Sequence, residues 1–243
     1  MKLVGERRAL ASAIFFLFAL LYILLSFLGD PSFGRALMAV GGVYGLAFFA
    51  LVAGYFWARW YAVGVGLYGV ISTVIGVYQV GAEPILLVMG GAHAAAALLL
   101  WGDAMSQPYD GQTAWRERFH MDDSAVQRLG RSVIRAGISL PVLAFLAFMP
   151  KQGSAVEVVS IGALLLGLVG FRSLVKLRTV GLLALGGAGV MLLALAGFEI
   201  GHGAAPAQAL YTALAGGLFA AAAAPFAAPA FCFLRSGATL RTR

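Results

Sequence analysis

Charge is what this chain has least of. Only 11% of its 243 residues are charged and 61% are hydrophobic, where a soluble domain carries about a quarter charged residues. So little charge cannot cover a folded core with a solvated surface. Cysteine is nearly absent too. The single Cys232 excludes an intramolecular disulfide and any Cys/His metal spacing. Catalytic constellations are missing as well: there is no Gly-x-Ser-x-Gly elbow, no His-Glu-x-x-His pair, no Walker loop and no paired carboxylates within an apolar run. Cys232 has no neighbouring base or cation to make it a thiolate. An enzyme is the least supported class.

What the chain does have is a succession of apolar runs, each about 20 residues long and able to cross a hydrocarbon core of about 30 Å as a helix. They predict an all-α, polytopic transmembrane helical bundle. Eight spans are expected, over about 9–28, 36–57, 62–81, 84–102, 133–149, 155–171, 179–198 and 208–234. Gly29-Asp30-Pro31, Gly81-Ala82-Glu83-Pro84 and Pro150-Lys151-Gln152-Gly153 supply turn signals between them. The first run follows Lys2, Arg7 and Arg8 in the manner of a signal peptide. It is too long for a typical apolar signal core and no small-x-small site precedes Gly29, so a retained helix is expected.

The placement of charge then orients the bundle. A net charge of +7 on a soluble protein would raise nucleic acid as a partner. Here the charges sit between apolar runs, and no nucleic-acid partner is expected. With the N-terminus cytoplasmic, only Arg35 and Lys151 of the 17 Lys and Arg fall outside, beside Asp30, Glu83, Glu157 and Glu199. That sorting satisfies the positive-inside rule and predicts both termini cytoplasmic, in a membrane of the bacterial inner-membrane type.

An internal repeat is also legible. Ala62-Val-Gly-Val-Gly-Leu-Tyr-Gly69 aligns with Thr179-Val-Gly-Leu-Leu-Ala-Leu-Gly186, and Arg8-Ala9 and Ser12 align with Arg135-Ala136 and Ser139. Matching spans share one orientation, which points to a parallel 4+4 tandem duplication. The expected organisation is a first four-helix half over 1–102, a basic amphipathic linker over 103–132, and a second half with a short basic tail over 133–243. Gly41/Gly45, Gly69/Thr73, Ser72/Gly76 and Gly186/Val190 lie one turn apart, as close helix packing in a membrane favours. Spans three and seven are expected at the centre, with Pro225 and Pro229 kinking span eight.

Few residues could carry chemistry. His93 is the ionisable group nearest the middle of a span, set between Gly90-Gly91-Ala92 and Ala94 to Ala97. Such a residue is a functional candidate in a membrane. The small neighbours would admit a haem or chlorophyll with His93 as axial ligand, or serve a neutral histidine bonded to a neighbouring helix. On the outer face Glu83, Glu199 and His202 form a polar cluster, expected as solvated groups at loop edges. In the linker, Trp115, Arg116, Arg118, Arg128, Arg131 and Arg135 suit the inner headgroup layer, with Arg128, Arg131 and Arg135 on one face of an interfacial helix and Val126, Leu129 and Val133 on another. Anionic lipids are the expected partners there, with other membrane subunits as the alternative. Three functions follow as expectations. The first is a non-catalytic integral membrane subunit or scaffold of a larger assembly. The second is a transporter or channel for a small or lipidic molecule. The third is a haem- or chlorophyll-binding subunit centred on His93.

Overall fold

The structure, a computed structural model, describes residues 3–105, 117, 122–150, 154–178, 180–203 and 206–240. Its described residues form eight long helices and no strand: α1 (Val4–Leu28), α2 (Gly34–Ala53), α3 (Ala58–Val80), α4 (Pro84–Leu99), α5 (Asp123–Phe148), α6 (Ser154–Val175), α7 (Val180–Gly201) and α8 (Pro206–Leu240). Among them α1, α2, α3, α5, α6 and α7 are long and apolar enough to cross a membrane. This is an integral membrane helical bundle.

The helix ends follow local chemistry. Asp30 opens the short turn Pro31–Phe33 before α2, its Oδ1 accepting from the Ser32 N–H at 2.9 Å and the Ser32 hydroxyl at 2.7 Å. Those two bonds hold the Asp30 carboxyl below the usual range. The second span was expected to reach Trp57, yet α2 stops at Ala53. Gly54 adopts the left-handed conformation (φ 71°) and turns its N–H onto the last carbonyls of the helix, a stop that glycine makes cheap. Conversely, α5 starts ten residues before the expected span, at an N-cap in which Asp122 Oδ1 accepts from the Ala125 N–H at 2.6 Å. The expected boundary between linker and second half, at 132/133, therefore falls inside one continuous helix.

Each half closes as a ring of four helices. α1 and α3 each pack against α2 and α4, and α5 and α7 each pack against α6 and α8. The rings join through α5, which lies on α2 and α3. Spans three and seven were expected at the centre, but α5 holds that place: 72% of its apolar window is buried, against 28% to 44% for the other five spanning helices.

Glycine explains how α5 gets so close. A Cβ on Gly64 of α3 would fall on the Ile134 carbonyl oxygen and 3.0 Å from the Gly137 Cα, while one on Gly137 would lie 2.8 Å from the Tyr61 carbonyl. Two backbones thus cross with no side chain between them, the approach that small residues permit in membranes. Of the expected small pairs, Gly69/Thr73 works on both members: Gly69 lies under the His93 ring, and Thr73 fills the space Gly90 leaves. Gly41 abuts α1 at Ile23 and Ala19, whereas Gly45 faces open space. Backbone, unlike a flexible side chain, cannot swing away, and overpacking costs about 1–3 kcal/mol or more. Gly64→Val should therefore lower the thermal midpoint of the detergent-purified protein by several degrees. Gly42→Val, with nothing within 4 Å of its Cβ, should leave it in place.

At one end of the first ring, arginines close the helix C-termini. Arg8 donates to the Leu51 and Val52 carbonyls at the end of α2. Arg7 donates to Leu98 and Trp101, and Arg59 to Leu100 and Gly102, at the end of α4. Terminal carbonyls have no partner within their own helix and favour cations. Arg7, Arg8 and Arg59, basic residues between apolar runs in the sequence, are in the fold the caps of α2 and α4.

Candidate functional site: a hydroxyl-lined cavity in the seam

Where the two rings meet, their side chains do not fill the space. A cavity of about 320 Å³ is lined by Tyr22 of α1, Val40 of α2, Tyr68 and Ser72 of α3, Phe145 of α5, and Gln208 and Tyr211 of α8, with further apolar side chains from α2 and α5. Phe33 stacks on Phe145 at 6.2 Å and 10°. The lining is apolar with a few convergent polar groups, the usual make-up of a small-molecule site, at the small end of the usual 300–1,000 Å³ range.

Two buried oxygens at this seam have no partner. Ser72 Oγ, set between Tyr68 and Tyr211, makes no hydrogen bond in proper geometry. Glu199 near the end of α7 is only 6% exposed. Its Oε1 accepts from Gln208 Nε2 at 2.8 Å, and its Oε2 has no bond. An unsatisfied buried polar atom costs about 1–3 kcal/mol and calls for an explanation.

His93 connects to this cavity. It is 2% exposed, its ring against Phe18 at 3.8 Å between centroids and directly over Gly69. Nδ1 lies 2.7 Å from the Met89 carbonyl, which can only accept, so Nδ1 carries the proton. In the neutral ring Nε2 is then an acceptor, and the fully buried Tyr44 hydroxyl donates to it at 2.7 Å. Tyr44 in turn stacks on Tyr22 at 5.2 Å and 26°. The space expected for a macrocycle is taken by the histidine ring itself and Phe18, and both ring nitrogens are bonded to protein. In this arrangement His93 offers no free axial nitrogen to a haem or chlorophyll.

The outer cluster divides by exposure. Glu83 and His202 are exposed, and His202 stacks on Phe198 at 3.9 Å while bonding its carbonyl through Nδ1. Glu199 was expected with them as a solvated group. It is buried instead, because Gln208 at the start of α8 draws its carboxylate inward. No three His, Cys, Asp or Glu side chains among the described residues are placed to hold a metal.

The basic inner segment changes as well. Trp115, Arg116 and Arg118 lie outside the described residues. Arg131 is exposed and Arg128 half-buried on α5, whereas Arg135 turns inward and donates to the Ala221 carbonyl of α8 at 2.6 Å. The face expected to lie on the membrane interface is partly a helix–helix contact: Val126, Leu129 and Val133 are buried, and Ser132 donates to Ala222 O at 2.7 Å. At its start the bonds from Ala125 and Ser124 keep the Asp122 carboxyl low, which suits the positive end of a helix.

The residues missed from sequence are Tyr22, Tyr44, Tyr68, Tyr211, Ser72 and Gln208. Tyrosines normally collect at the two membrane interfaces, and a buried phenol needs a hydrogen-bond partner. Tyr44 and Tyr68 in the interior of their apolar runs were a signal available in the sequence. Neither a protein-family model, nor a curated protein, nor a solved structure matches this chain, so its function is argued from this geometry alone.

Proposed function

We propose that this protein binds a small lipidic or amphiphilic molecule in the seam cavity, as a membrane carrier or receptor for it. In this reading the chain crosses a bacterial inner membrane eight times, with both termini cytoplasmic. α4 and α8 join the six helices that are long and apolar enough to span, and the two rings descend from a 4+4 duplication. One observation supports it above the others: the cavity between the rings has apolar walls and a ring of polar side chains, among them the unpartnered Ser72 Oγ. A site buried in hydrocarbon is filled from the bilayer, so its occupant must be soluble there. The phospholipid contacts expected of Arg128 and Arg131, and of Trp115, Arg116 and Arg118, remain part of the proposal at the inner face.

Native mass spectrometry of gently purified protein should find a small molecule retained at one per chain. Val142→Phe, which places a ring in the cavity, should release it while preserving the fold. Wild-type protein that carries nothing, and whose melting temperature does not respond to added membrane-lipid extract, would sink the reading.

A second reading is a non-catalytic subunit or scaffold of a membrane assembly, and α4 favours it. The helix has 16 residues, short of the roughly 20 that span a bilayer, and exposes Ile85, Leu87 and Val88. Such mismatch promotes helix association. Stoichiometric co-purification of another membrane chain, lost when Ile85 and Val88 are changed to Ser, would favour it; a chain that purifies alone would exclude it.

A further inference from the structure

The wall of the seam cavity is neutral, and the charge bonded to it is negative. Every lining residue is apolar, hydroxyl-bearing or an amide, and none is Lys, Arg, His, Asp or Glu. Arg35, near the start of α2, is exposed and outside the lining. Behind the wall stands Glu199. Gln208, a member of the lining, donates its Nε2–H to Glu199 Oε1 at 2.8 Å. Both oxygens belong to one delocalised carboxylate, so its charge lies a single hydrogen bond from the cavity wall.

That charge is not balanced by the protein around it. Glu199 is 6% exposed, its Oε2 makes no hydrogen bond, and no Lys or Arg among the described residues pairs with it. The Gln208 amide is a neutral partner and leaves the charge uncompensated. A buried charge without a counter-charge is strongly destabilising, and ionisable residues inside membrane proteins are paired or mark the path of a ligand or ion. Gln208 carries the influence of Glu199 inward, because an amide that donates to a carboxylate is polarised and its own carbonyl oxygen becomes a stronger acceptor. The rest of the wall suits a cation as well. Tyr22, Tyr68, Tyr211 and Phe145 all line the cavity, and aromatic rings of this kind form the cages that hold ammonium groups.

From a neutral, aromatic wall backed by an unbalanced carboxylate, we propose that the cavity holds an amphiphile with an ammonium head, whose counter-charge is Glu199. The proposal rests on the cavity being a ligand site and specifies the head group. Val40, Val142 and Leu146 supply apolar wall for a tail. An anionic head, such as a carboxylate or a phosphate, would meet no cation in the lining and would be repelled by Glu199. A neutral alcohol would find hydrogen-bond partners in the wall but leave the buried charge as it was.

The test uses the full-length protein, stripped of retained lipid, in nanodiscs of zwitterionic lipid, with binding to empty nanodiscs subtracted. Three probes share one tail: dodecylamine, which carries an ammonium head at neutral pH, dodecanol and dodecanoate. Dodecylamine should bind about tenfold or more tightly than dodecanol, as expected for a bond to a charged group, and dodecanoate should bind weakest. Glu199→Gln keeps the shape and the bond to Gln208 while removing the charge, so it should abolish the preference for the amine and retain dodecanol. Val142→Phe should abolish binding of all three. Equal binding of amine and alcohol to the wild type would overturn the ammonium head and leave the cavity reading intact. No binding of any probe would overturn both. An amine preference that survives Glu199→Gln would overturn the role of Glu199, and one that survives Val142→Phe would place the amine outside the cavity. Stoichiometric binding of radioactive sodium, lost in Glu199→Gln and unaffected by dodecylamine, would assign the carboxylate to an alkali-metal ion and overturn the proposal.

Discussion

Replacing Gly69 with alanine is expected to cost this protein several kcal/mol, although the change adds one methyl group. A Cβ at that position would fall within the His93 ring, in contact with Cγ, Cδ2 and Nε2. The ring has nowhere to retreat. Phe18 stacks on it at 3.8 Å, Tyr44 holds Nε2 and Met89 holds Nδ1. Overpacking costs about 1–3 kcal/mol, and a ring pushed off Tyr44 leaves a fully buried phenol unpaired for about 1–3 kcal/mol more. Against a typical total of about 5–15 kcal/mol, the sum should appear as a large drop in melting temperature or in yield of folded protein. Gly91→Ala is the control, since an added Cβ there meets nothing within 4 Å. A double mutant identifies the cause. Once His93→Ala has removed the ring, adding Gly69→Ala should cost little, because the clash is gone. If Gly69→Ala is as harmful in the His93→Ala background as in the wild type, the ring is not what the glycine makes room for.

The same residues show what was legible in the sequence. His93 stands out in the sequence as a lone ionisable group among small residues. What the small residues were for was not legible. Gly69, 24 positions earlier in another helix, supplies the space, and the histidine's own ring occupies it. Helix order followed from the apolar runs, because length and composition alone decide whether a segment can cross a bilayer. Helix ends were less legible where one residue decides them, as Gly54 does for α2 and Asp122 for α5. Which helix lies at the centre was hidden for a deeper reason. In a soluble protein the buried face is the apolar face, but lipid is as apolar as protein interior. A membrane helix therefore carries little periodic mark of its neighbours. α5 carries Arg128, Arg131 and Arg135 and has the lowest mean hydropathy of the six helices able to span a membrane, and it is the most buried of them. Glu199 was misread for a related reason: its distance from the predicted membrane centre suggested water, while Gln208, nine positions away across a turn, determines its environment.

Arg135 leads to the second large effect, through a proline on another helix. In an α-helix the carbonyl of residue i accepts from the N–H of residue i+4, and Pro225 has no N–H to give Ala221. α8 nonetheless runs without interruption from Pro206 to Leu240, and Arg135 Nη1 donates to that freed carbonyl at 2.6 Å. One residue creates a defect that the other repairs from across the interface. In the sequence Arg135 groups with Arg128 and Arg131 on one face of an interfacial helix, where anionic lipids are the expected partners. The contacts divide that group. Arg131→Met, at an exposed position, should leave stability nearly unchanged. Arg135→Met should lower it by about 1.5–3 kcal/mol, the range for a hydrogen bond made by a charged group, with the loss read as the thermal midpoint in detergent. The decisive measurement pairs the two helices. In a Pro225→Ala background the helix supplies its own N–H to Ala221, so Arg135→Met should cost distinctly less than in the wild type. Strict additivity of the two substitutions would mean that the arginine is not repairing the proline's defect. Coupling would show that this charge in the membrane is held by a backbone carbonyl, with no carboxylate needed to pair it.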